Sequence, residues 1–193
     1  MLERCSAFLI ARTEAQSAGL GAIARRLGFE TIIPLNSRHD FAAGDTDHPV
    51  AFFLVHHHVR DEMIRSVLRA IRASSLDRIR FAPVVLFLGD CPFETYLHYV
   101  HMGFDDALAL PDKRELLTQR LESQLQAPHL YIRTPTYFGP DRRRFDLEDL
   151  THERRGKGVH EHVEITFLRD PVDGVRMIRQ QTIIEREGRR QVA

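Results

Sequence analysis

The chain has 193 residues, 43% of them hydrophobic and 28% charged, which allows a packed core inside a water-compatible surface. Basic and acidic residues balance at 27 each, so no global field draws the protein to nucleic acid or to an anionic membrane. No apolar run approaches the ~20 residues needed to span a bilayer. The amino-terminal apolar run is too short for a signal-peptide core. Cys5 and Cys91 lack CxxC spacing and read as reduced thiols, so a cytoplasmic location is expected.

Residues 7–11 form a short continuous apolar run, as expected of a strand buried on both faces. Residues 14–27 then switch to helical spacing, with Leu20, Ile23, Ala24 and Leu27 on one face and Gly28 placed to end the helix. Residues 29–35 read as a second strand, with Pro34 marking an edge or a strand end. Residues 36–48 are rich in Asp, Gly, Ser and His and predict a loop or a short helix. Residues 50–55 give the strongest buried-strand signal in the chain. Met63, Ile64, Val67, Leu68 and Ile71 after it mark an amphipathic helix. Residues 82–88 are another apolar strand, 93–102 a helix closed by Gly103, and 107–110 a short fifth strand before Pro111. Asp112 is placed to cap a last helix whose buried side is Leu116, Leu117, Leu121 and Leu125. Alternating strands and helices predict a doubly wound five-stranded parallel sheet over residues 1–126, an α/β fold.

The pattern breaks in the extension, residues 127–193. Residues 127–158 carry three prolines and an arginine triplet, and predict an extended linker packing through Tyr131, Ile132, Tyr137 and Phe138. Val163, Ile165 and Phe167 alternate as in a strand, and residues 170–174 make a good turn. Residues 175–184 fit either a hairpin partner or an amphipathic helix. With so few large apolar groups the extension is expected to dock on the first domain or on a partner.

The fourth strand, Pro83-Val84-Val85-Leu86-Phe87, and the segment running from Gly103-Phe104-Asp105-Asp106 through Leu110-Pro111 resemble the receiver domain of bacterial two-component response regulators. The likeness covers residues 5–126 and implies the flavodoxin-like, receiver-like fold, with chemistry at the carboxyl ends of the strands. It also implies an aspartate phosphoacceptor beside an acidic pair that holds magnesium through oxygen ligands. This sequence departs from that pattern at every position. The acidic pair falls on Arg12 and Thr13, with Glu14 the nearby carboxylate, and the phosphoacceptor falls on Val55 or, one residue on, His56. The switch hydroxyl becomes Leu88 or Gly89, the switch aromatic Ala107, and the lysine before proline Leu110. An arginine at the magnesium position opposes the cation directly. The Tyr137-Phe138-Gly139-Pro140-Asp141-Arg142-Arg143-Arg144 stretch also resembles a tail motif attached to some bacterial receiver-like proteins.

Three local features invite a chemical reading. His56, His57 and His58, with His98 and His101, suggest a metal site, but adjacent strand residues point to opposite faces and should not converge on one ion. Phosphotransfer through His56 is disfavoured because it ends a strand. Cys91, beside Asp90, has no evident base or orienting acid. Arg142, Arg143 and Arg144 suit phosphate, yet Asp141, Asp146, Glu148 and Asp149 cancel most of their field. No catalytic set can be assembled, and neither metal nor cofactor is expected.

The resulting expectation is a pseudo-receiver, not an enzyme, acting as an adaptor or regulator in bacterial two-component or phosphorelay signalling. Its partner would be a histidine kinase or another regulator, or a second copy of the chain as a homodimer. Nucleic acid and membrane are not expected partners. Contact residues are expected at Tyr96 and Tyr99 on the fourth helix and at Tyr137, Phe138, Arg142 and Arg143 in the extension. The alternative is a sensor that binds a small anion or nucleotide at the strand mouth around Arg12, His56 and Asp90.

Overall fold

The computed structural model describes residues 1–35, 48–142, 159–186 and 189–192. The expected loop or short helix over residues 36–48 therefore lies almost wholly outside the described residues, as do Arg143, Arg144, Asp146, Glu148 and Asp149.

A 3-10 turn at Leu2–Arg4 leads into β1 (Cys5–Ile10), whose six residues are all buried. α1 (Glu14–Leu27) ends at Gly28, in the left-handed region at φ 106°, which glycine adopts without a Cβ clash. β2 (Thr31–Pro34) is the edge strand that Pro34 implied. β3 (Val50–His56) is central and buried up to Val55. α2 (Asp61–Arg72), α3 (Asp77–Arg80), β4 (Val84–Leu88), α4 (Phe93–Met102), β5 (Asp106–Ala109) and α5 (Arg114–Glu122) complete the first unit.

The strands run parallel in the order β2-β1-β3-β4-β5, the flavodoxin-like order, with helices on both faces. Side-chain alternation along each strand divides the core in two. Phe8, Ile10, Phe53 and Val55 face α2 and its neighbours through Ile64, Val67 and Ile71. Ala7, Leu9, Phe52 and Leu54 face α1 and α5 through Leu20, Leu27, Leu117 and Leu121.

Four expectations need correction here. Met63 is 41% and Leu116 44% exposed, because each lies one residue off the buried stripe of its helix. Asp112 is not the cap of α5; Lys113 holds that position, and Asp112 accepts the Lys113 N–H instead. The one-turn helix α3 was not foreseen, since four residues are too few to show a period. The described part of the supposed linker, residues 127–142, is not one: Tyr131 and Ile132 lie in β6 (Pro128–Arg133) and Phe138 in β7 (Phe138–Pro140).

These two strands join β8 (Val159–Asp170), β9 (Gly174–Arg186) and β10 (Arg189–Val192) in a second, antiparallel sheet of order β10-β9-β8-β6-β7. Residues 175–184 are thus a hairpin partner. Asp170 closes the turn by accepting the Val172 and Asp173 N–H groups. Tyr131, Ile165 and Phe167 form a small core that Phe81 of the parallel unit completes. The extension has too little apolar mass alone and takes a ring from its neighbour. Among the described residues, no helix is long and apolar enough to cross a membrane.

Candidate functional site

In a doubly wound sheet, ligands meet the carboxyl ends of the strands. Here that mouth is built from the loops after β1, β3, β4 and β5. Arg12 and Thr13 follow β1 and are exposed. Thr13 starts α1 with a capping box: its hydroxyl accepts the Gln16 N–H at 3.2 Å, and Gln16 Oε1 accepts the Thr13 N–H at 3.2 Å. The same oxygen accepts the Arg12 N–H at 3.2 Å, so the backbone around the acidic-pair positions is committed to holding a helix end.

Val55 pairs with Ile10 on one side and Leu86 on the other and is 1% exposed, inside the core. Leu88 and Ala107 are each 3% exposed. Leu110 is half-buried on the α1–α5 face, where it lines a 350 Å³ cavity with Ile23, Leu27 and Leu117. Apolar side chains therefore stand at the positions where the sequence likeness led one to expect a phosphoacceptor, switch residues and a lysine. Cys5 is buried, which pushes its thiol up to about 12, and Cys91 is half-buried against the α2–α4 core.

The three histidines behave differently from the sequence expectation. The strand ends at His56, and His57 and His58 sit in a turn, so the opposite-faces rule stops applying. One ring nitrogen from each lies within 4.8 Å of the others, and the His56 and His57 rings stack at 4.6 Å. The hydrogen bonds set the tautomers. His57 Nδ1–H donates to the Phe87 carbonyl at 3.2 Å, His56 Nδ1 accepts the His58 N–H at 3.2 Å, and His58 Nδ1 accepts the Gln16 amide at 3.0 Å. Only the His57 Nε2 lone pair stays uncommitted by these bonds. Burial, then the neighbouring imidazoles, lower the His56 and His57 pKa values, so both rings are neutral at neutral pH. His98 and His101 do not join them: His98 contacts Asp61 at 2.8 Å, and His101 lines a cleft at the other end of the sheet.

A receiver-type magnesium ion does not fit this donor set. Oxygen ligands are required, and the corresponding positions carry Arg12, Thr13 and Val55, with Asp61 engaged by His98.

The strand order decides the fold comparison. The parallel unit is receiver-like in fold. Among solved structures, the chain is similar to the receiver domain of a sensor histidine kinase from Pseudomonas aeruginosa PAO1, described with magnesium in its active-site cleft. Identity there is 20% and TM-score 0.45, over 61% of this chain and 94% of that one. It is also similar to a chemotaxis response regulator of Vibrio cholerae, at 12% identity and TM-score 0.46 over 62% and 97%. A third is the receiver domain of a histidine kinase from Syntrophus aciditrophicus, at 17% and 0.43 over 68% and 96%. No protein-family model and no curated protein matches the sequence.

Of the residues that join the receiver-like unit to the second sheet, Arg72 and Arg169 went unremarked in the sequence, and Asp105 and Tyr131 were read there in other roles. Asp105, from the Asp-Asp landmark, accepts from Arg72 Nη2 at 2.7 Å, Arg169 Nη2 at 2.7 Å, the Tyr131 hydroxyl at 2.5 Å and the Val84 N–H at 2.8 Å. Burial pushes the Asp105 carboxyl up, but Arg169 and Arg72 outweigh it and hold it below the ordinary value. Arg169 is wholly buried, donates to the Phe81 carbonyl at 2.7 Å and reaches Gln124 Oε1 at 3.0 Å. Asp106 pairs with Arg120 on α5. A signal existed for Arg169, which continues the inward alternation of Val163, Ile165 and Phe167.

Of the expected contact residues, Tyr96 and Tyr99 are half-buried on α4. Phe138 packs edge-on to Phe81 with centroids 5.8 Å apart. The Tyr137 hydroxyl donates to the Pro140 carbonyl at 2.8 Å, and the Arg142 guanidinium lies 3.9 Å over its ring. These last three side chains thus pack within the chain.

Proposed function

We propose that the protein is a non-phosphorylatable receiver-like regulator, a signalling module that works by protein–protein contact in a two-component pathway and not by catalysis. The observation that carries this reading is Val55: the position for a phosphoacceptor holds a core side chain, 1% exposed, with Arg12 and Thr13 where a cation would need carboxylates. The partner is a histidine kinase, another regulator or a second copy. Its docking surface is α4 beside the edge strand β5, where Phe93 is 67% exposed and stacks on Tyr96 at 6.1 Å. Exposed aromatic rings are favoured at interface cores because they bury large area at low entropic cost. An anion sensor at the strand mouth has less support, since Gln16 already occupies the Arg12 and Thr13 N–H groups and Asp90 is exposed.

The test is incubation with acetyl phosphate and magnesium, followed by intact mass and by capture of a kinase or regulator with wild type and a Phe93→Ser, Tyr96→Ser variant. Unchanged mass together with capture lost in the variant is expected. A phosphoryl adduct mapped to residues 50–60, or capture that ignores the variant, overturns the reading.

A further inference from the structure

At the amino end of the parallel sheet, a cleft of 680 Å³ opens between the two units. Its walls are the carboxyl ends of α2 and α4 and the β6–β7 turn. Five arginines line it, Arg65, Arg69, Arg72, Arg133 and Arg142, together with His101, and no carboxylate is among its described lining residues. Asp105 lies beneath the cleft, and that single carboxylate already serves both Arg72 and Arg169. The chain as a whole is neutral, so this concentration of positive charge is local.

A structural explanation covers part of the excess. Helix carboxyl ends carry partial negative charge, which accounts for basic residues such as Arg69, Arg72 and His101 there. Arg133 comes from the second sheet and answers no helix end, whereas Arg142 lies beside Gly103, the residue that ends α4. Two further details favour a bound group. Arg72 is 7% exposed and lines the cleft, and its Nε–H has no hydrogen-bond partner. Leaving a charged group's donor buried and unmet is costly. Gly103 stands at φ 120°, where a side chain is strained, and Arg142 Nη2 would lie 2.9 Å from a Cβ there, which places that guanidinium against the wall.

We infer that this cleft binds a phosphate-bearing small molecule of nucleotide size. Guanidinium forks match phosphate oxygens bidentately and keep their charge at any physiological pH. The volume falls in the usual range of ligand pockets, roughly 300–1,000 Å³. Leu68, Met102 and Phe138 give an apolar wall beside the arginines, suited to a base or another flat group. Because the walls belong to both units, an occupant would tie the second sheet to the receiver-like unit. The inference stands apart from the question of phosphorylation at the strand mouth.

The test uses the full chain with inorganic pyrophosphate as the minimal probe and ADP as the full-sized one, by calorimetry at moderate salt. Saturable binding at one site per chain is expected for both, tighter for ADP. Arg69→Ala with Arg133→Ala, both exposed side chains, should weaken it about tenfold or more while circular dichroism stays unchanged. Arg12→Ala, at the opposite end of the sheet, should leave it intact. Absence of saturable binding by either probe, or binding that the double variant does not change, overturns the site. Equal weakening by Arg12→Ala overturns it too, as simple surface charge.

Discussion

The two ends of the parallel sheet show opposite uses of polar residues. At the carboxyl end, imidazoles, a capping box and exposed polar side chains form a partly exposed mouth over apolar side chains. At the amino end, Asp105, Arg72, Arg169 and Tyr131 are almost wholly buried and bonded to one another. The end where this fold usually performs chemistry carries Arg12, Thr13 and Val55 where the resemblance led one to expect carboxylates. At the other end a buried charge cluster holds the second sheet.

That contrast is most directly broken at Asp105. Asp105→Ala leaves two buried guanidiniums without their carboxylate and should cost about 3–5 kcal/mol. Urea unfolding reads the loss, and a midpoint within error of wild type would show that the hub does not hold the units together. Phe81→Ala removes the ring that Tyr131, Phe138 and Phe167 surround and should cost about 3 kcal/mol. Limited proteolysis should then cut the second sheet faster than the parallel unit; uniform cleavage would count against a shared core.

A pH effect should separate the ends further. His129 sits at the junction, where burial, then Arg169, lower its pKa from 6.5 to about 4. Its folded form resists the proton that the unfolded chain accepts. The stability it contributes is therefore whole above the unfolded pKa of 6.5 and is lost as pH falls through that value towards 4. Wild type should lose more stability between about pH 7.5 and about pH 5 than His129→Gln does. Parallel losses in the two proteins would refute the assignment. At the mouth the effects should be smallest. Thr13→Ala costs about 1 kcal/mol through the lost cap, and His58→Ala stays within about 0.5 kcal/mol, as for an exposed side chain. A His58→Ala loss as large as that at Asp105 would mean the mouth is structural after all.

The alternation of strands and helices was legible in the sequence because both periods are local. Residues 50–55 and 82–88 are apolar without a break, and Leu20, Ala24 and Leu27 return every turn. The missing carboxylates at Arg12, Thr13 and Val55 were legible for the same reason, since a strand end follows directly from its strand. The tertiary structure alone decided where the extension docks and what its strands pair with. Arg169 meets Asp105 across 64 residues and Arg72 meets it across 33, and no periodicity reports contacts at that range. The histidine triplet failed as an inference because a strand rule was carried two residues past the strand, to His57 and His58. The hub was missed because an arginine reads as surface until a buried carboxylate is known to face it.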